Sequence, residues 1–272
     1  MKTTRDGEEE QRFYDGLAAY MQQTERVRQD KIYHVSDLLT PRQAYFKRVD
    51  PLPLTRAQLG YFLAGQAHHL IAEIILKRTD GKGEEKITLE ISDHQIIGTQ
   101  DVFRDLPIEF KTSRKWTIDP EPAQHYTDQL LMYCAMNGVL EGKIVVFYLA
   151  PGRKADGSTS TVPELACWHV QFEQEEVDRA KLYLGCAAVD LTSALLSSDH
   201  SLLPLCEEWM CGSRNRKGEV KINCGWYEKC QPQGRYPSSR LSGGGFPVKA
   251  KKTKVMPANQ KELNEVLADL ED

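Results

Sequence analysis

Between Lys86 and Ser113 the chain passes through three short segments of strand character, "KITLEI", "QIIGTQDVF" and "PIEFKTS", each bounded by polar or turn residues. A helical stretch follows from about Glu121 to Asn137 and is closed by Gly138. Two more β-rich runs come next, "KIVVFYLAP" and "ELACWHVQF", separated by the loop "GRKADGSTST", and "EEVDRAKLYLGCAAVDLTSALLS" restores helical periodicity. Three adjacent strands, a helix, two further strands and a helix restrict the fold to the α/β class, with a mixed central sheet flanked by helices.

Upstream, "EEEQRFYDGLAAYMQQTERVRQD" reads as a charged amphipathic helix, and "HVSDLLTPRQAYFKR" follows with Ser36 as an N-cap. The stretch "TRAQLGYFLAGQAHHLIAEIILKR" places Leu59, Phe62, Leu63, Leu70, Ile74 and Ile75 near helical period, which predicts one long helix ended by "TDGKGEE". The expected organisation is an N-terminal helix over residues 1–30, a core over 31–200, a small cysteine-rich metal-binding module over 201–235 and a flexible basic tail over 236–272. That tail ends in "NQKELNEVLADLED", a short acidic helix that is a candidate docking peptide for a protein partner. No apolar run approaches the roughly 18 residues of a membrane span. The opening "MKTTRDGEEEQ" lacks the apolar stretch of a signal peptide, so the expected location is cytoplasmic.

A net charge of -4 argues against a uniformly basic nucleic-acid binder, yet residues 231–260 carry six cationic side chains and no acidic one. Such a segment either attracts phosphates or stays solvated. The seven cysteines also divide unevenly. Cys134, Cys167 and Cys186 stand singly in apolar surroundings, where a thiol behaves as a small core side chain. Cys206, Cys211, Cys224 and Cys230 fall close together and supply four soft ligands, enough for tetrahedral Zn²⁺ or a [4Fe–4S] cluster. Few aliphatic residues surround them, so a metal would replace a missing core, with Trp209, Trp226 and Tyr227 packed about it.

The chemistry concentrates in "IIGTQDVFRDLPIEFKTS". An antiparallel hairpin centred near Asp105 sets Asp101 directly opposite Glu109, and like charges in that position are destabilising without a cation between them. Glu109 and Lys111 share a strand face while Ile108 and Phe110 turn to the core. Two hard oxygen ligands and an amine suit Mg²⁺ or Mn²⁺ and the hydrolysis of a phosphodiester. The plainer reading of the three residues is an exposed hairpin carrying a Glu/Lys ion pair.

Taken together and in order, "GQAHH", "GTQD", "IEFKTS" and "QHYTDQLLMY" resemble the PD-(D/E)XK nuclease superfamily, in its RecB-like branch of CRISPR-associated exonucleases and helicase–nuclease subunits, over residues 34 to 190. The resemblance implies a restriction-endonuclease-like core and a deoxyribonuclease acting on single-stranded DNA or DNA ends, in CRISPR adaptation, recombination or repair. It further implies His69, Asp101, Glu109 and the main-chain carbonyl of Phe110 as metal ligands, and Lys111 as the catalytic lysine with the two acids. Gln129 and Tyr133 match the motif that contacts DNA or supports the lysine. His69 shares its helix face with Gly65, whose missing side chain would admit a strand or substrate, while His68 points about 100° away. His125, Gln129 and Tyr133 form one polar stripe, with Leu130, Leu131 and Cys134 towards the core.

Several such nucleases have a C-terminal iron–sulfur staple, usually with one cysteine from before the core. Here no cysteine precedes Cys134, and Thr40 or Pro41 occupies that region, which keeps zinc beside iron–sulfur as an alternative. The other reading of the whole chain is a non-catalytic DNA-binding or assembly subunit that keeps the nuclease fold.

Overall fold

The structure is a computed structural model. It describes residues 7–23, 29–78, 81–103, 105–113, 117–118, 120–149, 153–154, 164–206, 208–214, 220–222 and 224–230. The basic tail and the terminal acidic helix expected from the sequence lie outside these residues.

The chain opens with α1 (Gly7–Gln23), β1 (Ile32–His34), α2 (Val35–Leu39), α3 (Pro41–Val49) and α4 (Arg56–Arg78). Strands β2 (Gly81–Ile91), β3 (His94–Phe103), β4 (Leu106–Ser113) and β5 (Thr117–Ile118) lead to α5 (Gln124–Asn137). Then come β6 (Glu141–Tyr148), β7 (Arg153–Lys154), β8 (Glu164–Gln171) and α6 (Gln174–Ser197). The last described elements are α7 (Glu208–Cys211), β9 (Gly212–Arg214), β10 (Val220–Ile222) and α8 (Tyr227–Cys230). No helix of the described residues is long and apolar enough to cross a membrane.

The main sheet is mixed and six-stranded, ordered β1-β3-β4-β6-β8, with β2 on the other edge of β3. Strand β3 is antiparallel to β2 along its length, while its opposite edge is shared: β1 pairs in parallel with residues 95–97 and β4 antiparallel with 101–103. Residues 98–100 fall between the two partners on that edge. Alternation along β6 buries Gly142, Ile144, Val146 and Tyr148 on one face. Helix α5 covers that face, with Leu130, Leu131, Met132 and Cys134 fully enclosed between the sheet and α6. Small residues on α6, among them Ala180, Ala188 and Ala194, permit this close approach, and a Cβ at Gly185 would press on the Ile91 side chain at 2.9 Å.

Several local expectations need correction. Ser36 is not the N-cap of α2: the helix starts at Val35, and the Asp37 carboxylate accepts from the backbone N–H of His34 at 3.5 Å. Helix α5 begins at Gln124, with Ala123 extended at its N-cap, and not near Glu121, which precedes Pro122 and is thereby biased away from helical geometry. Strand β2 reaches back into "GKGEE", which looked like turn, through an irregularity at Gly83 with φ +77°. Cys186 is exposed rather than a core thiol, whereas Cys134 is buried and its thiol is pushed up to about 12, chiefly by burial.

Candidate functional site

In the β3–β4 hairpin Asp105 stands just before β4 at φ +64°, a conformation Asp tolerates. Its pairs are Phe103 with Leu106, Val102 with Pro107 and Asp101 with Ile108. The register is therefore one residue from that expected, and Asp101 does not face Glu109. A two-residue turn follows the right-handed strand twist better than the three-residue loop the other register needs.

The shift does not separate the acids. The β3–β4 ladder ends at the Asp101–Ile108 pair, and from Ile108 onward β4 runs in parallel with β6, placing Glu109 opposite Ile144 and Lys111 opposite Val146. Asp101 and Glu109 stand at this fork, 4% and 3% exposed. Burial pushes the Glu109 carboxyl above its ordinary value, Lys111 opposes that shift, and the nearby Asp101 adds to it. Lys111 Nζ forms an ion pair with Glu109 Oε1. The pair is thus buried at its acidic end, unlike an exposed surface bridge. Phe110, whose main-chain carbonyl the resemblance puts among the ligands, lies between them opposite Val145.

Helix α4 supplies the other partner. His69 Nε2 lies 3.2 Å from Asp101 Oδ2. His68 turns elsewhere, with Nδ1 2.6 Å from the Ala64 carbonyl oxygen and its ring 5.4 Å from that of Phe147. Gly65 is not a point of close approach, since a Cβ there would meet nothing within 4 Å. The hydrogen bond to Asp101 raises His69 above the ordinary histidine value against partial desolvation, helped by Glu84 and Glu73.

This pair stabilises the metal-free fold fully below the unfolded histidine value, and the contribution disappears as pH rises through the raised folded value. Denaturant midpoints in EDTA at about pH 5.5 and about pH 8.5 are the check. The deficit of a His69→Gln variant should shrink at the higher pH, and a deficit independent of pH would refute the pairing.

On α5, Gln129 donates to the Tyr133 hydroxyl at 2.9 Å. Tyr133 is buried rather than solvent-facing because α5 is enclosed between sheet and α6, and its ring packs where Gly98 lacks a side chain. Asn137 and Gln100 exchange amide hydrogen bonds of 2.8 and 3.3 Å, tying α5 to β3 beside Asp101.

Two residues at the site escaped sequence reasoning. Glu84 pairs directly across the β2–β3 ladder from Asp101 and was hidden in the apparent turn "GKGEE". Tyr126, half-buried on α5, has its phenol pushed up by burial and then by the Glu109 charge. Its place in "QHYTDQ" gave no signal beyond an aromatic beside His125.

The donor set fits a hard divalent cation: two buried carboxylates, an imidazole, and Asp101 Oδ1, which is buried without a hydrogen-bond partner. Among the described residues, no group of three or more His, Cys, Asp or Glu side chains is arranged to hold a metal as it stands. His69 and Lys111 occupy the acids instead.

The four C-terminal cysteines are gathered without closing on one point. The Cys206 thiol is pushed up to about 12 by burial and then by Cys211, Cys230 and Cys224. Backbone bonds join Cys224 to Cys211 and Cys230 to Trp226. Trp226 stacks on Phe46 and donates to the Asp50 carbonyl at 2.8 Å, docking the module onto α3. Tyr227 is half-buried, with its N–H on the Cys224 carbonyl, and the Trp209 side chain lies outside the described residues.

No family model matches the chain, and none of the curated proteins matches it. Among solved structures it is similar to SSO0001, with 20% identity and a TM-score of 0.48 over 63% of this chain and 85% of that one. It is also similar to a phage-related exonuclease from Haemophilus somnus 129PT, with 16% identity and a TM-score of 0.34 over 60% of this chain and 82% of the other.

Proposed function

We propose that the chain is a divalent-metal-dependent deoxyribonuclease, an exonuclease acting on single-stranded DNA or DNA ends. The observation that carries the reading is the buried acid pair at the fork of β3 and β4, where Asp101 keeps an unpartnered oxygen and Glu109 holds Lys111. Two acids buried this close need cations, and the two present, His69 and Lys111, come from α4 and from Glu109's own strand.

Mg²⁺ or Mn²⁺, held by Asp101, Glu109, His69 and the Phe110 carbonyl, would polarise the scissile phosphate and acidify a bound water. Lys111, its side chain about a third exposed, holds its amine on the buried Glu109 carboxylate. There it can orient the attacking water and offset negative charge developing on the phosphate. Gln129 steadies the Tyr133 hydroxyl, and the Gln100–Asn137 clasp fixes the strand that carries Asp101.

Labelled single- and double-stranded DNA incubated with the protein and either metal is the test. Cleavage should appear with metal and fall by about a hundredfold or more in Lys111→Ala, as expected for loss of a proton-handling or charge-stabilising amine. Wild-type rates in that variant would sink the assignment. A non-catalytic DNA-binding subunit is the second reading, favoured by the occupation of both acids by side-chain partners. DNA binding with no cleavage in either metal would select it.

A further inference from the structure

The C-terminal half of α4 lies against the sheet. His69 meets Asp101, His68 holds its ring 5.4 Å from that of Phe147, and a Cβ at Gly83 of β2 would press on Lys77 and Glu73. Gly65, His69 and Ala72 are spaced i, i+4, i+7 and share the face turned to the acids, and Phe62 stands seven residues before His69, nearly in line with it. Along that face the helix opens towards its N-terminus. Ala72 is 5% exposed, the His69 side chain 37% and Phe62 44%, with Tyr61 beside it at 57%. At Gly65 a Cβ would meet no described atom within 4 Å. A glycine inside a helix is destabilising relative to alanine unless a left-handed backbone or a close neighbour requires it. Gly65 is not among the positive-φ glycines and has no such neighbour among the described residues, so the fold itself makes no demand for glycine there.

Asp101 is almost wholly buried while its partner His69 is the more open of the two, so the approach to the acid pair lies on the His69 side, along α4. Seven residues of helix span about 10 Å, about three nucleotides of a stacked strand. An exposed phenyl ring at that distance offers a surface on which a base can stack, and only an unpaired base has its face free to do so. The bare backbone at Gly65, between the ring and the histidine, leaves room for sugar and phosphate.

We propose that the face of α4 from Phe62 through Gly65 to His69 is the track along which one DNA strand reaches the acid pair, with a base stacked on Phe62 and the sugar–phosphate backbone passing over Gly65. The proposal rests on the nuclease reading and deepens it. Preference for a single strand is then set by Phe62, which a paired base cannot engage, and clearance for the backbone by Gly65.

The test uses full-length protein and a fluorescently labelled single-stranded oligodeoxynucleotide, alone and annealed to its complement. Affinities are read by anisotropy in EDTA and in Ca²⁺, cleavage in Mn²⁺, and thermal midpoints in EDTA. Gly65→Leu should weaken single-strand binding by about tenfold or more while its midpoint holds or rises, since leucine is the better helix former. Phe62→Ala should lose about tenfold, within the range for removal of one base–aromatic stack, and Phe62→Trp should keep wild-type affinity. Gly60, which also has no neighbour within 4 Å, points about 140° away from Gly65 on the same helix, so Gly60→Leu should bind as wild type does. Wild-type affinity in both Gly65→Leu and Phe62→Ala would overturn the track and leave the nuclease reading standing if cleavage persists. Equal losses for the single strand and the duplex would overturn the single-strand assignment. No binding of either DNA by the wild type, together with no cleavage, would overturn the nuclease reading and the proposal with it.

Discussion

An Asp101→Asn variant is expected to lose metal-dependent cleavage by about a thousandfold, equivalent to about 4 kcal/mol of transition-state stabilisation. The size follows from where the residue stands. Asp101 is almost wholly buried, one of its oxygens is bare, and its neighbour Glu109 is already pushed towards its neutral form by burial and by Asp101 itself. Replacing one oxygen by an NH₂ group removes a charge and aims a donor where an acceptor is required. In EDTA the same change relieves like-charge repulsion while weakening the bond to His69, so the metal-free protein should melt within about 2 °C of wild type. Rates are to be measured at saturating Mn²⁺ beside melts in EDTA. Cleavage retained to within tenfold would remove Asp101 from the site, and a collapse of the EDTA midpoint would show that the change had damaged the fold instead.

The second large effect concerns stability. A Cβ at Gly142 on β6 would stand 2.7 Å from Leu130 Cδ1 and 2.8 Å from the Pro107 carbonyl oxygen. Leu130 is fully buried in α5, and Pro107 is held in the hairpin ladder, so neither can withdraw without moving β4. Gly142→Val should cost about 3 kcal/mol and lower the thermal midpoint by about 5–10 °C. Calorimetry of the metal-free protein measures it, and a midpoint within 1–2 °C of wild type would mean the strand yields far more easily than its packing indicates. Because Pro107 immediately precedes Ile108 and Glu109, the displacement would reach the candidate site as well.

The element order was legible because its signals are local. Apolar runs, the Gly138 helix end and the long α4 period each depend on a few neighbouring residues. The mixed character of the six-stranded sheet followed from that order. What failed depended on distant contacts. The hairpin register turns on one residue of loop length, which "RDLP" does not specify. The extension of β2 through "GKGEE" is produced by pairing with β3, and Glu84 reaches its position only through that pairing. Tyr133 looked like part of a polar surface stripe, since nothing in α5 alone indicates that α6 closes over its far side.

The divided edge of β3 has a mechanical consequence. One jaw of the sheet, β1, β2 and most of β3, carries Asp101 at its tip; the other, β4, β6 and β8, carries Glu109. Among the described residues, three residue pairs join them. The gap between the acids therefore depends, like a caliper setting, on the angle between the two halves of the sheet, braced on one side by the Gln100–Asn137 clasp. Changes in elements that touch neither acid would be felt at that gap, so the ionic radius that the proposed metal site would accept is a property of the whole sheet.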